Sequence, residues 1–183
     1  RDVIDEATKS KISNLISDAS TKKEKIKRIY NYVQDNTRYV GVQLGIGGWQ
    51  PIKATEVDKV KYGDCKGLTN YTKALLKSQN IDAYYTIVSA GSSKKSLDKD
   101  FASMQGNHVF LNVPLDEESI WLECTSQTMP FGFLGNFTDD RDVLVVTPEG
   151  GKIVHTPVYD ESFNTFDANA TIILENTGGF KAN

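Results

Sequence analysis

The chain has 183 residues, 39% of them apolar and 10% aromatic, enough to bury a core in one globular domain or one domain with an appendage. A formal net charge of -3 leaves no basic footprint, which argues against nucleic acid or an anionic membrane as primary partner. No apolar run approaches the roughly 18 residues a transmembrane segment needs, and two cysteines cannot build a disulfide framework.

Two helices open the chain. Ile12, Leu15, Ile16 and Ala19 recur at helical spacing, and Thr21 to Glu24 reads as a capping box starting a second helix with the stripe Ile26, Ile29, Tyr30 and Val33. Lys22, Lys23, Lys25, Lys27 and Arg28 stand among Asp18, Glu24 and Asp35 and read as a solvated helix face. Gln43 to Pro51 is glycine-rich. No lysine-serine pair follows its Gly-x-Gly pattern and Pro51 blocks direct entry into a helix, so it is not a phosphate or dinucleotide loop.

Tyr62 to Leu76 is the most informative stretch. Gly63 and Asp64 make a turn, aspartate can cap free N–H groups, and Leu68, Tyr71, Thr72, Leu75 and Leu76 form one helical stripe. Cys65 therefore sits in the first helical turn, where unpaired N–H groups and the positive end of the helix dipole stabilise a thiolate. Such a placement prepares a sulfur nucleophile, although a lone cysteine is more often just a small buried residue.

Asn80 ends that pattern, and Asp82 to Val88 reads as a buried strand. Ser89 to Gly106 is polar, with Leu97, Phe101 and Met104 as anchors, and reads either as the rim or lid of a cleft or as surface disorder. Asn107 to Val113 alternates as a strand led by His108, and Ile120 to Cys124 follows an acidic loop, so the two predict an antiparallel hairpin. His108 shares a face with Phe110 and Asn112, and Glu123 shares one with Trp121. Glu123 can then meet His108 across the ladder while Cys124 points into the opposite layer as a buried thiol. With Cys124 facing Cys65 instead, a redox pair would gain, yet no Cys-x-x-Cys or paired-ligand spacing supports a redox or metal site.

Ser126 to Asp142 is a loop whose acids Asp139, Asp140 and Asp142 match no calcium-loop spacing and read as solvated. Val143 to Thr147 and Ile153 to Thr156 are strands about a turn at Pro148 to Lys152. His155, with no acid or cysteine at useful spacing, reads as an ordinary edge residue. The tail from Pro157 is polar before a last strand, Thr171 to Leu174. Sequons at Asn70, Asn136 and Asn169 are taken as chance, since a glycan on Asn70 would obstruct the Cys65 helix. The opening Arg1, in place of methionine, reads as a fragment or processed product.

A cysteine at a helix start, then a histidine on a strand, then an acid on the next strand is the chain order of the transglutaminase-like branch of the papain-like cysteine enzymes. The chain resembles the bacterial members of that branch through Arg38-Tyr39-Val40-Gly41, Gly45-Ile46-Gly47-Gly48-Trp49-Gln50-Pro51, Tyr62-Gly63-Asp64-Cys65-Lys66, Ile81-Asp82-Ala83-Tyr84, Asn107-His108-Val109 and Trp121-Leu122-Glu123-Cys124-Thr125. The likeness runs from about residue 38 to 125 and more weakly to Gly151. It implies an α+β fold with helices packed on an antiparallel sheet and the cysteine at a helix N-terminus. It also implies a domain over 1–156 and a C-terminal extension over 157–183 that begins a following β domain.

For chemistry, the resemblance implies Cys65 as nucleophile, His108 as general base and acid, and Glu123 as the residue orienting the imidazole. The reaction implied is acyl transfer through a thioester on peptide or glutamine amide bonds of a peptide or protein substrate, without metal or cofactor. A periplasmic or extracellular bacterial setting and neighbouring domains of a longer chain go with it. The family usually has aspartate where Glu123 stands, and often an acid where Gly67 follows the Cys-Lys pair. For the oxyanion, the Cys65 N–H needs a second donor, and Gln50, Trp49 and Gln43 are the candidates; otherwise Trp49 is core and both glutamines are surface. The alternative is an inactive domain that keeps the fold and binds peptide or glycan in the cleft.

Overall fold

The computed structural model describes residues 1–163, 165–174 and 176–182. Helix α1 (Glu6–Leu15) starts at Asp5, whose carboxylate accepts the Thr8 N–H at 2.7 Å. It stops earlier than the apolar spacing predicts: Leu15 is exposed, and Ile16 and Ala19 are buried from the turn that follows. Helix α2 (Lys22–Asn36) begins at Thr21, whose hydroxyl accepts the Glu24 N–H at 3.1 Å. The Glu24 carboxylate returns to the Ser20 N–H at 3.0 Å, one residue before the cap. Ile26, Ile29, Tyr30 and Val33 are buried as their spacing predicts, while Arg28 pairs with Asp18 and Glu24 at the surface.

Two short strands, β1 (Arg38–Tyr39) and β2 (Tyr62–Gly63), pair in parallel, with helix α3 (Ala54–Val60) between them in sequence. Helix α4 (Cys65–Ser78) follows at once. It is buried on nearly every side, Leu68, Tyr71, Thr72, Leu75 and Leu76 fully so, which makes it the central helix. Asn80 then takes a left-handed conformation and releases the chain into the sheet.

That sheet is five-stranded and antiparallel: β3 (Tyr84–Val88), β4 (His108–Pro114), β5 (Ser119–Leu122), β6 (Asp142–Thr147) and β7 (Gly150–His155), in the order β5-β4-β3-β6-β7. The β6–β7 turn is tighter than the sequence suggests, because β7 already begins at Gly150, whose φ of 129° suits only glycine. The helices cover one face, where Leu111, Val113, Ile120 and Leu122 meet Ile12, Ile29 and Leu75. On the other face Val88, Phe110, Trp121, Val143 and Val145 pack under Leu134 of the loop after β5 and Tyr159 of the tail. The architecture is thus the α+β arrangement expected. The last strand finds a partner: β8 (Ile172–Leu174) pairs with β9 (Phe180–Ala182), and Ile172, Ile173 and Leu174 are exposed. Among the described residues no helix is long and apolar enough to cross a membrane.

Candidate active site

Strand β2 runs straight into α4, and the first turn of that helix is held on every side. Asp64 is the N-cap: one carboxylate oxygen accepts the Gly67 N–H at 2.8 Å and the other is paired with the Lys66 ammonium. Cys65 is therefore the first helical residue. The Tyr85 hydroxyl of β3 donates to the Lys66 carbonyl, and the Thr69 hydroxyl donates to the Val109 carbonyl of β4 at 3.2 Å, so the turn is fastened to both strands. The parallel pairing of β1 with β2, continued by the Val40 N–H to the Gly63 carbonyl at 2.9 Å, sets Tyr39 beside the Cys65 turn.

His108 opens β4. Its Nε2 lies 3.1 and 3.0 Å from the two Glu123 oxygens, which turns Nδ1 free for the cysteine side. Glu123 is held in turn: Oε1 accepts the Thr125 hydroxyl at 2.6 Å and the Thr125 N–H at 3.2 Å, while the Tyr30 hydroxyl of α2 donates to its main-chain carbonyl at 3.0 Å. His108 and Glu123 side chains are 9% and 3% exposed. Burial alone works against an imidazolium. The Cys65 thiol and the Glu123 carboxylate beside the ring outweigh it, and His108 is pushed up to about 9. Burial likewise opposes the Glu123 charge, but hydrogen bonds from His108 and Thr125 hold that carboxyl below the ordinary glutamate range. Phe137 sets its ring against the imidazole, with centroids 5.3 Å apart, and Tyr39, His108, Thr125 and Phe137 line a cleft of about 300 Å³.

Cys65, His108 and Glu123 are thus brought together. Cys124 points away from them: it is buried in the helical layer, donates to the Leu122 carbonyl, and burial pushes its thiol up to about 12. Gln43, Trp49 and Gln50 lie on an exposed loop, and among the described residues none hydrogen-bonds to Cys65 or His108. At 69% exposure Trp49 is not core either.

His155 is an exposed residue of the edge strand β7, as expected, but it has acid partners that the sequence did not show. The register sets it opposite Asp142, so Nδ1 lies 2.8 Å from Asp142 and Nε2 3.3 Å from Asp140, a pairing across strands that spacing along the chain conceals. Nor is the acidic loop wholly solvated. Asp139 is buried beside Arg141, whose fully buried guanidinium donates to the carbonyls of Asp139, Ser89, Gly91 and Asn136 at 2.7–3.0 Å. Among the described residues no group of three or more His, Cys, Asp or Glu is arranged to hold a metal ion. Sequence reasoning missed Tyr39, Thr125, Phe137 and Arg141 as supports. Thr125 alone was within reach, standing two residues past Glu123, although both lie just beyond the end of β5.

A buried His–Glu pair beside a cysteine at a helix start, on helices packed over an antiparallel sheet, defines the class. The sequence matches the family model of the transglutaminase-like superfamily over residues 9–125, and the chain belongs to that superfamily. Its fold is similar to the crystal structure of a putative protease from Parabacteroides distasonis ATCC 8503, with a TM-score of 0.58 at 16% identity. The match covers 82% of this chain and 28% of that one, so this chain spans little more than a quarter of that protein's length. Among curated proteins none matches.

Proposed function

We propose that this domain performs cysteine-dependent acyl transfer on peptide or glutamine amide bonds. The Cys65 thiolate attacks the carbonyl, and the His108 imidazolium gives its proton to the departing amine, leaving a thioester. His108 then takes a proton from water or from an incoming amine as it attacks the thioester, and Cys65 is released. Water makes the domain a hydrolase and an amine makes it a cross-linking enzyme. Glu123 holds the ring and its charge. The Cys65 N–H and a side chain of the glycine loop, Gln43, Trp49 or Gln50, hold the oxyanion, which requires that loop to fold inward over substrate. Residues 1–156 carry this site, and 157–183 form an extension leading to a following β domain, with Tyr159 anchored on the sheet.

The observation that carries this reading is the buried His108–Glu123 pair, held at 3.0–3.1 Å next to Cys65. The test is the pH dependence of iodoacetamide labelling at Cys65 and Cys124, resolved by mass spectrometry, with and without His108→Ala. Cys65 should label far ahead of Cys124, and the pH profile of its labelling should change in the variant. An identical pH profile of Cys65 labelling in the two proteins would rule the reading out and favour a binding domain.

A further inference from the structure

The His108–Glu123 pair is buried although His108 lines the cleft. Its side chains are 9% and 3% exposed, while the imidazole shares the cleft wall with Tyr39, Thr125 and Phe137. Phe137 sets its ring against the imidazole, edge-on at 64° with centroids 5.3 Å apart.

Packing does not account for that ring. Phe137 is 46% exposed, and among the described residues it belongs to neither apolar core. Its backbone is nevertheless fixed from both sides. The Gly91 N–H donates to its carbonyl at 2.9 Å, and the Asn136 carbonyl before it accepts the Arg141 guanidinium at 3.0 Å. Thr138 after it is fully buried: its hydroxyl donates to the Leu134 carbonyl at 3.4 Å, and its carbonyl accepts the Thr156 hydroxyl at 3.1 Å. A rigid support thus holds an apolar ring half in water, against the imidazole.

The pair has much to lose to water. Glu123 holds the imidazole by bonds of 3.0 and 3.1 Å, and water reaching the carboxylate would compete for both oxygens and raise the local dielectric. An imidazole released from Glu123 can turn about its side-chain bonds, and Nδ1 then no longer faces the cysteine.

We infer that Phe137 is a positioning residue: its ring shuts water out of the His108–Glu123 pair and so keeps the imidazole turned with Nδ1 towards Cys65. The inference rests on the acyl-transfer reading above. Cys65, Tyr39 and the paired Asp64 and Lys66 are the other titratable groups at the cleft, and Phe137 brings no charge of its own. A change at Phe137 that moves a pH profile therefore reports on water at the ring.

The test follows two readouts in Phe137→Ala. One is the proton shared by His108 Nε2 and Glu123, a far-downfield NMR resonance seen only while exchange with water is slow, and identified by its absence in His108→Gln. The other is the pH profile of iodoacetamide labelling at Cys65. Phe137→Ala should lose the resonance and move the Cys65 profile towards that of His108→Ala, with the fold intact. Phe137→Leu, which restores an apolar cover, should recover both. Should Phe137→Ala not fold, Phe137→Gln keeps the bulk, admits water and takes its place. A folded Phe137→Ala that keeps either readout of the parent protein, or a Phe137→Leu in which either stays lost, overturns the inference. The acyl-transfer reading then stands as long as His108→Ala alters the Cys65 profile, and identical profiles in His108→Ala and the parent remove both.

Discussion

Glu123 meets His108 on a diagonal. The β4–β5 register pairs Leu111 with Leu122, so its continuation sets Glu123 opposite Phe110 rather than opposite His108. Diagonal neighbours on a sheet stand roughly 7–8 Å apart, a gap that long side chains close more readily than short ones. The extra methylene of glutamate is thus accommodated by the spacing. Glu123→Asp keeps the charge and shortens the reach, and His108 should fall from about 9 towards the ordinary value near 6.5 in an NMR titration of its ring protons. The same shift has a consequence for stability. A histidine raised on folding contributes in full below its unfolded value of about 6.5, and the contribution is lost as pH rises towards 9. Urea unfolding should therefore show stability declining from about pH 6.5 to 9, and His108→Gln should flatten that decline. Removing the partner altogether, as Glu123→Ala, should destabilise the fold by about 3 kcal/mol at pH 6, the scale for breaking a buried ion pair.

At the level of elements, what could be read from sequence is what a long periodic signal carries. α2 and α4 have 15 and 14 residues with full apolar stripes, and their caps at Thr21 and Asp64 stand where the residue types place them. α3 has seven residues and buries only Ala54 and Val57, too little for a period to show, and the two-residue strands β1 and β2 carry no alternation. Yet those small elements bring Tyr39 to the Cys65 turn. Gly67 carries a helix-propensity cost that the cap does not require, since any non-proline residue offers the same N–H. It is buried in the first turn of α4 and donates its N–H to Asp64, while a Cβ there would meet Asp64, Ile52 and Val57 at 3.4–3.6 Å, ordinary contact. Gly67→Ala should therefore stabilise the domain by about 0.5–1 kcal/mol, the helix-propensity difference, seen as a higher urea midpoint with an unchanged slope.

For the molecule as a whole, the grouping of Cys65, His108 and Glu123 was legible because chain order and strand parity bring the three together. What holds their surroundings was not, because it comes from loops far apart in sequence. Arg141 is the clearest case: nothing in its neighbourhood marks it as buried, and charged residues are rarely so. It joins Ser89 and Gly91, at the start of the segment leading to His108, to Asn136 and Asp139, which flank the Phe137 that lies on His108. The Gly91 N–H donates to the Phe137 carbonyl at 2.9 Å, closing the same knot. Lysine in its place has at most three donors and no planar fork, and methionine has none, so carbonyls that now share the guanidinium would be left buried and unpaired. Arg141→Met should cost about 3–5 kcal/mol, lowering the melting temperature by roughly 10 °C in a domain of this size, and Arg141→Lys somewhat less. If the knot also sets the wall of the cleft, amide exchange at Gly91 and Phe137 should accelerate in Arg141→Lys well before the fold is lost. Unchanged protection at both positions, in a folded variant, would show that the two loops are held by other means.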